Sequence, residues 1–181
     1  MMTDDSLFDM LNFVMVGWVL LAVAPKWKWT LRVVLFLVVT YSGLYLVLLA
    51  RTVANGDLGD TPVDFSSLDS VVNLFKLRPV VFAGWTHYIA YDLLVGMGVT
   101  MHATQHNIPH VLIVCILPVL LMAGPVGLFV YTALFFTLQA IYGSQFPDFT
   151  TKQLISRAIY VLTSGLCVFM VSWIFVFPGT W

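Results

Sequence analysis

Charge is what this sequence has least of. Asp, Glu, Lys and Arg together make up 9% of its 181 residues, against about 25% in an ordinary soluble domain. So few charges cannot cover a water-exposed surface. With 60% hydrophobic residues and a mean hydropathy of +0.95, lipid is the better solvent for this chain. An excess of positive charge is also missing. The net charge is −1 and no basic patch is interleaved with aromatics, which argues against nucleic acid as a partner. There are two cysteines, Cys115 and Cys167. Both fall inside apolar runs and read as small buried hydrophobes, not as a disulfide framework. The N-terminus is acidic at Asp4 and Asp5. It lacks the positive n-region and cleavage site of a secretory signal, and the Arg- and Ser-rich character of a transit peptide. No internal repeat and no low-complexity segment is present.

What remains is a set of apolar runs. A spanning helix needs roughly 20 mainly apolar residues, and five runs qualify, at about 7–24, 31–50, 80–101, 110–141 and 154–177. Pro25 ends the first, with Trp27 and Trp29 as interfacial anchors. Pro118 and the Gly124-Pro125 pair remove backbone donors inside the fourth. That run reads either as one kinked helix or as a span followed by a second, bent piece. Arg157 opens the fifth, and Trp173 and Trp181 lie near its end. Between the second and third runs the composition turns polar. There Ser66, Ser67 and Asp69 look like a helix start, with Leu68, Val71, Val72 and Phe75 at i, i+3, i+4 and i+7. This spacing predicts a short amphipathic helix on the membrane surface or capping the bundle. The fold expected is all-α: one polytopic transmembrane bundle of about five helices over residues 1–181, with lipid as its first partner. The short, strongly basic first loop favours an N-terminus outside, whereas the raw count of Lys and Arg on the two sides favours the reverse.

Function points to the third run, because ionisable residues inside a membrane are expensive and face protein, water or a partner. Asp92 stands at mid-span and His87 five residues earlier. At about 100° per residue the two lie about 140° apart around the axis. Trp85, Tyr88 and Asp92 share one face, and His87 and Tyr91 another. Either the helix is buried on both sides or a π-bulge rotates the two groups together. Tyr41 and Tyr45, one turn apart on the second run, are suitable donors to Asp92. His102, His106 and His110 stand at i, i+4 and i+8 and could align three imidazoles for a metal. Pro109 disfavours helix at Ile108, so a polar interfacial loop is the plainer reading.

The stretch Ala83-Gly84-Trp85-Thr86-His87-Tyr88-Ile89-Ala90-Tyr91-Asp92-Leu93 resembles the signature of the family named after the plant abscisic-acid-deficient-four protein. Ala24-Pro25-Lys26, Ser67-Leu68 with Leu74-Phe75, and Ile108-Pro109-His110 leading to Gly124-Pro125-Val126-Gly127 match it in order. The resemblance covers about residues 10–135, a four-helix core to which the fifth run adds a C-terminal span. It implies a protein of a plastid or bacterial inner membrane that handles carotenoids. The plant member is required to make neoxanthin from violaxanthin, which isomerises a 5,6-epoxide to an allene and a tertiary hydroxyl. The step needs a base and an acid and no cofactor. His87 and Asp92 are the implied catalytic pair. Trp85, Tyr88, Tyr91, Tyr41, Tyr45 and His110 are the candidate substrate-binding residues. Two other readings stand beside it. One is a non-enzymatic carotenoid- or lipid-binding scaffold, working as a homo-oligomer or with a carotenoid enzyme. The other is a metal-dependent membrane enzyme built on the loop histidines.

Overall fold

The structure is a computed structural model and describes residues 4–142. The expected fifth span, with Arg157, Cys167, Trp173 and Trp181, lies outside the described residues. Among those described there is helix and turn and no strand. The first span is built from α1 (Asp4–Met10), a 3₁₀ turn (Leu11–Phe13) and α2 (Val14–Val23). α3 (Thr30–Ala54), α4 (Leu68–Leu74), α5 (Arg78–Gln105), α6 (His110–Met122) and α7 (Gly124–Tyr142) follow. Three stretches, Ser6–Val23, Thr30–Ala54 and Gly124–Tyr142, are long and apolar enough to cross a membrane. α5 is the longest helix, with 28 residues, but its polar side chains keep it out of that set. It is the central helix, packed by α2, α3, α6 and α7.

Local chemistry explains the joints. α2 stops where Pro25 disfavours helix at Ala24. The Thr30 hydroxyl donates to the Ala24 carbonyl and closes the turn into α3. α3 therefore runs back along the first span, and the buried Tyr41 hydroxyl reaches the carbonyls of Met10 and Leu11, both at 3.3 Å. That contact ties the 3₁₀ turn to α3. Tyr41→Phe should lower stability by roughly 0.6 kcal/mol, the average of such bonds between membrane helices, read as a small fall in melting temperature in detergent.

The amphipathic helix forms where the sequence places it. Ser67 caps it, accepting from the Ser70 N–H at 3.1 Å. Of its stripe, Leu68 and Val72 are exposed and Phe75, half exposed, sets its ring against Gly84 of α5, while Leu74 is buried. Asp64 braces the cap. It accepts from the Ser66 N–H at 2.8 Å and from the hydroxyls of Ser66 and Ser70 at 3.0 and 2.8 Å. These donors, the Ser66 N–H foremost, hold its carboxyl below the ordinary value of 3.8. A lowered folded-state value means the bracing is present above that ordinary value and is lost as pH falls through the folded one. The protection of the amides at residues 68–75, taken relative to their intrinsic exchange rate at each pH, should therefore fall in that acid window, and Asp64→Asn should remove this pH dependence.

The fourth run departs from the straight reading. Pro118 sits inside α6 without ending it; the break falls at Ala123, between α6 and α7. α5 closes with Asn107 in the left-handed region at φ 54°. The Asn107 N–H bonds the Thr104 carbonyl and the Ile108 N–H bonds that of Ala103, the paired pattern of a Schellman turn. α6 then runs back along α5. α7 reverses again. The Tyr88 hydroxyl bonds Met122 O, Asp92 touches Gly124, His102 bonds Tyr131 and the His106 ring meets Phe135. Successive positions of α5 thus meet successive positions of α7. The fourth run is neither one kinked helix nor a bent continuation but a hairpin. The 13 residues of α6 give about 20 Å, short of a hydrocarbon core of about 30 Å. Its tip stops against the middle of α5.

Candidate functional site

The hairpin tip meets Asp92. Non-helical backbone at membrane depth persists only where protein covers it or where it lines a cavity, and here both hold. Gly124 lies so close to the Asp92 carboxylate that any side chain there would overlap it. The Tyr88 hydroxyl donates to the Met122 carbonyl at 3.1 Å and satisfies one of the carbonyls left open at the end of α6. One turn beyond Asp92, Gly96 makes room for the Trp18 ring, which a Cβ would meet at 2.8 Å. Glycines on both sides of the carboxylate therefore let α2 and the hairpin close on this face of α5.

Asp92 is 7% exposed, and its Oδ2 is buried without a hydrogen-bond partner among the described residues; the Tyr88 hydroxyl lies beside the carboxylate, but its single proton goes to the Met122 carbonyl. It lies at the wall of a cavity of about 370 Å³, within the range of pockets that take small apolar ligands. Phe8, Leu11, Asn12, Val14, Met15 and Trp18 line it from the first span. Trp85, Tyr88, Ile89 and Asp92 line it from α5, and Leu121 and Met122 from the hairpin tip. Trp85 and Tyr88 pack with ring centroids 5.5 Å apart. The lining is almost wholly apolar, and the N-terminal end of α7, where partial positive charge collects, abuts the carboxylate. Such a site can hold one end of an apolar molecule and present it to a single carboxyl group.

Three of the residues singled out from sequence meet here: Trp85, Tyr88 and Asp92. His87 does not join them. α5 is an uninterrupted α-helix from Arg78 to Gln105, so the phase difference stands and no bulge removes it. His87 lies exposed on another side of α5, its ring 4.4 Å from Tyr91 and 5.3 Å from Tyr45. Tyr41 serves the first span, as described above. His110 Nε2 bonds the Ala22 carbonyl at 2.8 Å and ties the start of α6 to α2. His102 and His106 stack at 4.4 Å, with His102 Nδ1 2.6 Å from the Tyr131 hydroxyl. The three-histidine metal set is not assembled, because the turn after Gln105 points His110 elsewhere. No group of three or more potential ligands occurs among the described residues. Sequence reasoning missed the contribution of the first span. Asn12 was visible only as a polar residue in an apolar run, and Phe8, Met15 and Trp18 carried no signal.

No curated protein and no solved structure matches this chain. A family model does match, described as ABA DEFICIENT 4-like, over residues 6–131. That stretch holds every residue of the cavity, the hairpin tip and the glycines that frame Asp92. This helical membrane protein belongs to the ABA DEFICIENT 4-like family.

Proposed function

We infer that the protein isomerises an epoxide at one end of a carotenoid to an allene, with the Asp92 carboxyl serving as both acid and base. The observation that carries this reading is a buried carboxyl with one unpartnered oxygen among the described residues, in the wall of an apolar cavity. Family membership supports the substrate class. The reaction moves no electrons to or from a second molecule, so one carboxyl suffices. In its protonated form one oxygen gives its proton to the epoxide oxygen while the bond from that oxygen to the ring carbon beside the polyene breaks. The other oxygen takes the hydrogen from the first chain carbon, and the C–H electron pair becomes the second double bond of the allene. The product is an isomer carrying a tertiary hydroxyl, and the carboxyl ends protonated again. The α7 N-terminus favours negative charge as it develops on the epoxide oxygen. Trp85, Tyr88 and Trp18 shape the space for the ring.

Pigment chromatography of a bacterial host that makes 5,6-epoxy carotenoids tests this directly. Expression of the chain should produce an allenic isomer absent from the control culture. An unchanged profile across several epoxides would overturn the reading. Pigment that copurifies unchanged would point instead to a binding scaffold.

A further inference from the structure

The cavity has a second polar group in its wall. Asn12 lines it from the first span, as Asp92 does from α5. The Asn12 carboxamide makes no hydrogen bond among the described residues, whereas the Tyr88 hydroxyl is engaged by the Met122 carbonyl. The N–H groups of Trp18 and Trp85 can only donate. Among the described residues of the wall, Asn12 is therefore the uncharged side chain with both a free donor and a free acceptor. An amide left unpaired in apolar surroundings costs free energy, so its place there asks for a partner.

The packing fixes where Asn12 stands. It is the middle residue of the 3₁₀ turn Leu11–Phe13, and the Tyr41 hydroxyl holds the carbonyls of Met10 and Leu11 beside it. The turn cannot swing without breaking those bonds. The first span and α5 also run parallel and nearly in step. The Phe8 ring lies 6.0 Å from that of Phe82, Gly17 packs on Leu93, and Trp18 packs on Gly96. In that register Asp92 stands level with Val16 and Gly17. Asn12 comes a little over one turn before that level, roughly 6–8 Å along the axis. A six-membered ring with a hydrogen bond on each side spans such a gap.

We propose that Asn12 selects the substrate's end group: with Asp92 at the epoxide, it hydrogen-bonds a hydroxyl on the ring carbon opposite the one that carries the polyene. This assignment rests on the epoxide reading of the cavity. A hydroxyl both donates and accepts, and a carboxamide answers both. A ring without that hydroxyl leaves the Asn12 amide unpaired, and the site then loses the desolvation cost of the group. The contact lies away from the bonds that change, so it acts on which ring is taken in and not on the proton transfers at Asp92.

The test uses the full chain and two 5,6-epoxy carotenoids that differ only in that ring hydroxyl. Turnover is read as kcat/KM, and binding as quenching of tryptophan fluorescence while each pigment is titrated into the protein in detergent. The parent should favour the hydroxylated pigment by about tenfold, the scale of one neutral hydrogen bond. Asn12→Leu should bring the ratio close to one by weakening the hydroxylated pigment alone. Its melting temperature should hold, since no hydrogen bond within the described residues is given up. A parent that does not distinguish the two pigments, or a preference that survives in Asn12→Leu, would overturn the assignment. So would an equal loss for both pigments, because Asn12 would then be shaping the first span. Binding separates this assignment from the chemistry. If neither pigment is converted but Asn12→Leu abolishes a preference in binding, the epoxide reaction fails and the selection stands. Quenching by neither pigment would overturn both.

Discussion

Asp92→Asn should cut conversion of an epoxy-carotenoid by at least about 100-fold, the lower end of what a positioned acid or base contributes. It should do so without lowering the melting temperature. The amide has nearly the shape of the carboxyl and fits against Gly124 as the carboxyl does. It loses the acidic proton that the epoxide oxygen needs and the basicity that the chain carbon needs. On the stability side, Oδ2 makes no hydrogen bond among the described residues, so little is given up. An amide N–H₂ in that place can even find a carbonyl at the open end of α6. The two measurements together separate chemistry from architecture. Lost turnover with a melting temperature held or raised is the signature of a group kept for function at some cost in stability. A fall in melting temperature by several degrees would mean that Asp92 is holding the hairpin, and the catalytic role would lose its support.

The largest loss of stability should come from Gly127→Val. A Cβ at this position would stand 2.6 Å from both the backbone nitrogen and Cγ of Leu120, and 2.7 Å from its Cα. Backbone cannot rotate out of the way as a flexible side chain can. The two arms of the hairpin would have to separate, and its tip would leave Asp92. Overpacking typically costs 1–3 kcal/mol; with backbone as the obstacle the expected cost is about 3 kcal/mol or more. Thermal melts in detergent should show it, and even Gly127→Ala should be clearly destabilised. Gly43→Ala is the matched control, since a Cβ there meets nothing within 4 Å, and its melting temperature should stay within error of the parent. If Gly127→Val and Gly43→Ala behave alike, the tight hairpin is wrong.

Much of the bundle was legible because lipid imposes simple rules. The spans at Ser6–Val23 and Thr30–Ala54 follow from apolar length and from the punctuation at Pro25 and Arg51. Ser67 announced the cap of α4 by residue type alone. The separation of His87 from Asp92 followed from helical phase, and the uninterrupted α5 preserved it. The hairpin was not legible. Pro118 looked as strong a break as Gly124-Pro125, yet a proline costs only one donor and a local kink, whereas at Ala123 the chain has both glycine and proline beyond it. Nor does a continuous apolar run reveal whether the chain goes on or turns back, since both keep the same surface in lipid. The cavity was hidden for a related reason. Phe8, Met15 and Trp18 differ in no visible way from lipid-facing neighbours. Only the packing of the first span on α5, through Gly17 against Leu93 and Gly96 against Trp18, shows which side they take.

The short α6 also decides where the cavity can be closed. Beside the N-terminal half of α5 the described residues place the first span and α3, and beside its C-terminal half they add α7. Asp92 stands at that step, where the turn between α6 and α7 packs against it. A longer α6 would carry the turn past the carboxyl and take Leu121 and Met122 out of the cavity wall. The length of one helix thus sets the position of the site's floor.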